Sequence, residues 1–177
     1  MVFPINIMEP LVAINPSSPE SINVGSSPNG IANASSGAYP ASNRAIFIPF
    51  YVSKPTVIIN AFAYNGATAS GNLDIGIYDI AGTKLVSTGS TAQTGTNAIQ
   101  TIALTSTEIG PGVFYLAIAM DNTTGTLFRQ TFGVARLDQV TGIAQMASAF
   151  TLPATATFAS VASDFVPLFG ISTRSVV

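Results

Sequence analysis

Eight acidic residues are the whole supply of carboxylates for acid–base chemistry in this 177-residue chain. Asp74 and Asp79 are five apart on one predicted strand. Strand side chains alternate with period two, so the pair falls on opposite faces. It does not converge on one substrate as a general acid and base must. Asp79 also stands where a tight turn favours Asp. Asp121 and Asp164 occupy turn-like contexts as well. A calcium ion at Asp121-Asn122-Thr123 would need several carboxylates to gather there, and a plain turn is the preferred reading. Cys and His are both absent. That removes disulfides, Cys/His zinc sites, thiol nucleophiles and every His-dependent triad. Gly66, Gly71 and Gly76 lack the spacing of a phosphate cradle opening a helix, and Gly110-Pro111-Gly112 reads as a turn. The chain calls for no cofactor, no metal and no catalytic role. A glycan hydrolase would need two carboxyl groups facing each other across a cleft.

Binding residues are the next candidates. Sugars stack on aromatic faces, and the chain has no Trp but five Tyr: Tyr39, Tyr51, Tyr64, Tyr78 and Tyr115. Tyr78 faces away from the Leu73/Ile75/Ile77 side, so it could point outward. The competing reading, which we favour, packs it against a neighbouring loop or subunit. Arg44, Arg129, Arg136 and Arg174 stand out in a chain so poor in charge. Arg pairs well with carboxylates where water is excluded. Arg129, in the predicted strand 126–131, is assigned to an ion pair in the core or between subunits. A solvated arginine at a sheet edge is the alternative.

The elements that position these residues follow from composition. Charged residues make up only 8% of the chain, where an ordinary soluble domain carries about 25%. A net charge of −2 leaves no basic patch, which excludes nucleic acid as a partner. Ser, Thr, Asn and Gln number 18, 19, 11 and 5. Such residues, with 15 Gly and 11 Pro, favour strands and turns over long helices. No apolar run reaches the roughly 18 residues of a spanning helix, and the first 16 residues lack the basic start of a secretory signal. No membrane role is expected. The apolar content belongs to a core and to interfaces.

Residues 1–43 hold six of the eleven prolines and predict an extended arm. Phe3, Ile5, Ile7, Leu11 and Ile14 make that arm too apolar to be a solvated tail. They are assigned to contact with a partner subunit. The sandwich is assigned to residues 44–177. In it, 45–52 alternates Ile46, Ile48, Phe50 and Val52 on one side, with Pro49 implying an edge or a bulge. Segment 56–64 is apolar on both faces, with Val57, Ile59, Ala61 and Ala63 opposite Ile58, Phe62 and Tyr64. Such a strand is buried twice, by a core and by something outside it. Strands at 72–79 and 83–88 form a hairpin through Asp79-Ile80-Ala81-Gly82. Strand 98–104 follows. Strand 113–121 carries Phe114, Leu116, Ile118 and Met120 against Val113, Tyr115, Ala117 and Ala119, and turns at 121–125 into 126–131 as a second hairpin. Val140, Ile143, Met146, Ala147 and Phe150 fit either a short helix or an irregular crossover. Segments 157–165 and 168–177 close the chain as strands. About eight strands in two antiparallel sheets are expected. The fold class is an all-β, jelly-roll-like sandwich with an extended N-terminal arm.

Part of this pattern is familiar as a set. It comprises Asn43-Arg44-Ala45-Ile46-Phe47-Ile48-Pro49-Phe50, Asn72-Leu73-Asp74-Ile75-Gly76-Ile77-Tyr78-Asp79 with Gly82, Leu85-Val86-Ser87-Thr88-Gly89-Ser90, and Pro111-Gly112-Val113-Phe114-Tyr115-Leu116-Ala117. Over about residues 43–130 the chain resembles β-sandwich domains of structural proteins in tailed bacteriophages. The resemblance implies a virion component on the head or the tail, and it brings no catalytic residues. Low charge, abundant hydroxyls and an apolar arm suit a subunit made for assembly. The expectation is a capsid decoration, or cement, protein. It would be a homotrimer that contacts the major capsid protein or another virion protein, on particles assembled in the host cytoplasm. A tail-fibre or baseplate protein binding a host glycan is the alternative.

Overall fold

The computed structural model describes residues 21–24, 35–131, 139 and 141–175. Among them the protein is all-β, with fourteen strands. The first four are β1 (Ser21–Val24), β2 (Ser35–Ala38), β3 (Arg44–Val52) and β4 (Thr56–Tyr64). Then come β5 (Asn72–Asp79), β6 (Lys84–Ser87), β7 (Thr91–Ala92), β8 (Ile99–Ile109) and β9 (Gly112–Met120). The last five are β10 (Thr126–Gln130), β11 (Ala144–Met146), β12 (Ala159–Ser160), β13 (Val166–Pro167) and β14 (Phe169–Ser175). Pairing is antiparallel throughout. A seven-stranded sheet has the order β12-β11-β3-β9-β5-β6, with β7 also on β5. A four-stranded sheet runs β1-β14-β4-β8, and a three-stranded one runs β13-β10-β2.

The main core lies between the large sheet and the two smaller ones. The large sheet supplies Ile46, Ile48 and Phe50 from β3, Leu73, Ile75 and Ile77 from β5, and Leu116, Ile118 and Met120 from β9. The opposing layer supplies Ile58, Ala61, Ala63, Leu104, Leu127, Phe169 and Ile171. Two inward faces of period-two strands thus interdigitate, which is the packing of a sandwich.

Several expectations change on the structure. Ile58 shares the core with Ala61 and Ala63, although simple alternation sets them on opposite faces. The pairing of β4 shifts register between Ile58 and Asn60 on β8 and opposite Ser172/Thr173 on β14. Ile59 is the extra residue against β14, and on β8 it faces Leu104, Thr105 and Ser106; this irregularity reverses which side chains face in. Phe62 is nonetheless buried on the other side, so the strand is closed on both faces. Pro49 sits where β3 has lost one neighbour. The short β11 pairs only Ala45, Phe47 and Ile46, while β9 pairs the whole strand.

The hairpin expected from 113–131 does not form. Both edges of β9 are taken, by β3 and β5. The chain therefore leaves the large sheet at Asp121, and β10 pairs with β2 and β13 in the opposite layer. Segment 141–152 is an irregular crossover with one short strand, not a helix: Ile143 packs into the main core and Ala144 faces the other way. Of 157–165, only Ala159–Ser160 is strand. Finally, the sandwich begins before Arg44. β1 pairs with β14, β2 pairs with β10, and Tyr39 is buried in the main core. The Tyr39 hydroxyl donates to the Arg44 and Ile118 carbonyls at 3.0 and 2.8 Å.

Candidate functional site

The outer face of the large sheet is also largely apolar. Register sets out its rows. Ala45, Ala119 and Asp74 form one, and Phe47, Ala117 and Gly76 the next. Pro49, Tyr115 and Tyr78 form the third. The fourth joins Tyr51 to Val113, with Ile80 one residue beyond the Asp79–Phe114 pair. A second apolar cluster covers the first rows: Ala149, Leu152 and Ala156 pack on Ala45, Phe47, Tyr78, Ala117 and Ala119. Phe47 meets Tyr78 and Phe158 edge-on, at 5.3 and 5.1 Å between ring centroids. Segment 147–158 is thus an irregular cover over an apolar face, and it contains no charged residue.

Three side chains of the β5–β6 hairpin anchor the cover. The Asp74 carboxylate accepts the Leu152 N–H at 3.0 Å and hydrogen bonds from the Thr88 and Ser87 hydroxyls at 3.2 and 3.5 Å. The Lys84 Nζ donates to the Leu152 carbonyl at 2.6 Å, and the Tyr78 hydroxyl donates to the Pro153 carbonyl at 2.7 Å. The backbone adds two links, from Lys84 N–H to the Ala154 carbonyl and from Ala156 N–H to the Gly82 carbonyl. Burial pushes the Asp74 pKa up against the hydrogen bonds from Leu152, Thr88 and Ser87 and the charge of Lys84. Burial also raises the Tyr78 phenol, with the Asp74 charge adding to it. Gly76 allows the close approach: a Cβ there would lie 2.8 Å from the Val86 carbonyl oxygen and 3.0 Å from a Leu152 methyl. Gly76→Ala should cost about 1–3 kcal/mol through overpacking, read as a lower urea midpoint with an unchanged m-value.

The cover stops short of the last row. Tyr51 is 45% exposed and Ile80 is 69% exposed, while Val113, Pro49 and Tyr115 are half-buried beside them. These residues form an apolar shelf at one end of the outer face. Lys54 and Asp79 are the charged residues nearest to it in sequence. The Asp79 carboxylate is occupied by the Thr83 N–H at 2.8 Å.

The other candidates are held apart. Asp74 lies beneath the cover and Asp79 caps a turn, so no catalytic pair forms from them. Asp121 ties the corner between layers, accepting from Asn72 N–H and Nδ2 at 2.9 and 2.8 Å and from Asn122 Nδ2 at 2.6 Å. Burial acts to raise its pKa, but the hydrogen bonds from Asn122 and Asn72 outweigh it and hold the carboxyl below its usual value. No group of three or more acidic side chains that could hold a metal occurs among the described residues. Tyr78, which could have pointed outward, is fully buried, and the loop-packing reading holds for it. Tyr64 stacks on Phe128 with centroids 4.2 Å apart.

Arg129 lies in β10 with its guanidinium carbon 5.4 Å from the Phe165 ring centroid. Gly37 leaves room for its stem, since a Cβ there would meet Arg129 Nε. Arg129→Met keeps the stem and removes the cation–π contact. It should cost about 1 kcal/mol, measured by chemical denaturation. Arg44 donates to the Ser163 hydroxyl at 3.3 Å. Arg136 and the arm residues Phe3, Ile5, Ile7, Leu11 and Ile14 lie outside the described residues, as does the Arg174 side chain.

The sequence carries no signal for the cover, because an irregular segment has no period. It did register the two-sided apolarity of β9, which is the trace the cover leaves. Compared with known proteins, the chain matches no family model, no curated protein and no solved structure.

Proposed function

We propose that this chain is a non-enzymatic structural subunit of a tailed-phage virion, a decoration protein that binds outside the head as a homotrimer and reinforces contacts between shell subunits. The observation that carries the reading is the apolar shelf of Tyr51, Val113 and Ile80 at the open end of an otherwise covered face. Exposed apolar side chains that continue a buried cluster mark a contact surface. The long edge strand β8 fits the same reading over its middle, where the exposed Thr101, Ala103, Thr105 and Ser106 are small and uncharged, with the exposed Ile99 and Glu108 towards its two ends. A surface of this kind is suited to permanent contacts and poorly suited to solubility by charge.

A second reading draws on the Tyr51 and Tyr115 rings of the same shelf. Tyr51 offers an exposed aromatic face to a host glycan, as a tail-fibre or baseplate protein would, while the Tyr115 ring beside it packs on Phe158 with centroids 4.3 Å apart.

Copy number in purified particles separates the two. Quantitative mass spectrometry should find the chain in amounts comparable with the shell protein. A handful of copies per particle would overturn the decoration reading and favour the tail. Tyr51→Lys should weaken binding to shells at least tenfold while the thermal midpoint is unchanged, since an exposed position costs within ~0.5 kcal/mol. Unchanged shell binding would remove the shelf from the contacts on which assembly rests.

A further inference from the structure

Resting on the assembly reading above, the geometry points to a specific occupant of the shelf: we infer that residues 1–20 of a second copy of this chain dock on Tyr51, Pro49, Val113, Tyr115 and Ile80. Direction is the first ground. β1 runs antiparallel to β14, with Ser21 beside Ser172 and Val24 beside Phe169. β14 in turn runs antiparallel to β4, from Ala63 opposite Phe169 to Thr56 opposite Ser175. Followed backwards from Ser21, the chain therefore heads for the Thr56 end of the sandwich. Thr56 pairs with Ile109, and the turn after Ile109 leads to Gly112, opposite Val52. That is the end on which Tyr51, Val113 and Ile80 lie. Ser21, the residue that residues 1–20 join, is thus at the shelf-side end of β1.

Chemistry is the second ground. Residues 1–20 carry Phe3, Ile5, Ile7, Leu11 and Ile14, and their charged side chains are Glu9 and Glu20. An apolar, nearly uncharged strip matches an apolar shelf whose own residues carry no charge. Prolines at 4, 10, 16 and 19 favour extended backbone and reduce the freedom lost on docking.

The layer from which the segment leaves favours exchange. β1 belongs to the four-stranded sheet, whereas the shelf lies on the far face of the seven-stranded sheet. Packed layers are about 10 Å apart, so a chain's own segment must turn back around the end of both sheets to reach its own shelf. Continued along the strand axis it leads away from its own sandwich. Twenty extended residues reach roughly 65 Å, ample for a neighbour's shelf. Head-to-tail use of one strip and one shelf builds a closed ring when the rotation allows, which is how a trimer would arise.

The test uses the full chain with a photo-reactive phenylalanine analogue at position 51, mixed as equal parts light and 15N-labelled protein. The expected result is cross-links from position 51 to peptides within residues 1–20, including light–heavy pairs. Links confined to one isotope would show a chain's own segment on its own shelf and overturn the exchange. Links to other parts of the sandwich, or none, would overturn the occupant. Sedimentation velocity gives an independent reading. Deleting residues 1–20 or introducing Ile80→Asp should each weaken self-association at least tenfold, with the β-sheet circular dichroism retained. Association unchanged in both variants would also overturn it. Absence of the chain from virions would defeat the decoration reading alone, because both measurements are made on the isolated protein.

Discussion

Phe47→Ala should lower stability by about 3–5 kcal/mol, the cost of truncating a fully buried aromatic. The ring has no exposed surface, and its edge-on partners, Tyr78 and Phe158, belong to the sheet and the cover respectively. Removing it leaves a cavity where the cover meets the sheet. The rest of the large sheet is fixed by pairing and cannot collapse into that space. For a domain of this size the loss corresponds to a fall of roughly 6–20 °C in thermal midpoint. Hydrogen exchange should localise the effect, with the Leu152 and Ala156 amides losing protection ahead of Ile75 and Ile118. Tyr51→Ala, on the same strand and the same face but beyond the cover, should change stability by less than ~0.5 kcal/mol. Equal effects at the two positions would mean that 147–158 does not seal this face.

Asp74→Ala should cost about 1–3 kcal/mol by leaving the Leu152 N–H buried without an acceptor. Asp74→Asn should be far milder, because its amide oxygen can still accept that N–H and its NH2 can donate to the Ser87 and Thr88 hydroxyls. The pH dependence has a definite sign. Burial holds the folded-state pKa of Asp74 above its ordinary 3.8. The folded protein therefore binds this proton more tightly than the unfolded chain does. The stabilisation linked to it is complete below 3.8 and is lost as pH rises through the folded pKa. The difference in stability, Asp74→Asn minus wild type, should grow as pH rises from about 3.5 and level off once Asp74 is ionised in both states. Urea titrations across acid to neutral pH would read it. A flat difference would show that the hydrogen bonds from Leu152, Thr88 and Ser87 balance burial, and one that shrinks with rising pH would show that they outweigh it.

The sequence spoke clearly where one rule acted alone. The two faces of β9 follow from strict alternation over 113–120, because the strand is regular and paired throughout. The β5–β6 hairpin follows from the turn residues at 79–82. Alternation alone misplaces the faces of β4 at Ile59, because a bulge is decided by two neighbouring strands at once and β4 carries no Gly or Pro to announce it. The hairpin after β9 was misread for a similar reason. Asp121-Asn122-Thr123-Thr124-Gly125 is good turn chemistry, and the chain does turn there, but nothing local reveals that β9 already has both its partners. Prolines on either side of Tyr39 give it the look of the arm and mask a residue that two carbonyls hold in the core. Among the candidate site residues, the opposition of Asp74 and Asp79 was legible from period two. Burial of Asp74 was not, since its cover arrives from 78 residues further along the chain.

The anchoring of segment 147–158 has a consequence for which of its side chains can be replaced. Asp74, Lys84 and Tyr78 grip it by main-chain groups of Leu152 and Pro153, and the two backbone links use main-chain groups of Ala154 and Ala156. Its outward side chains, Thr151, Ala154, Thr155 and Thr157, contribute nothing to that grip. Substitutions at these positions leave the grip of the three residues intact, so they offer a tolerant place to graft a label.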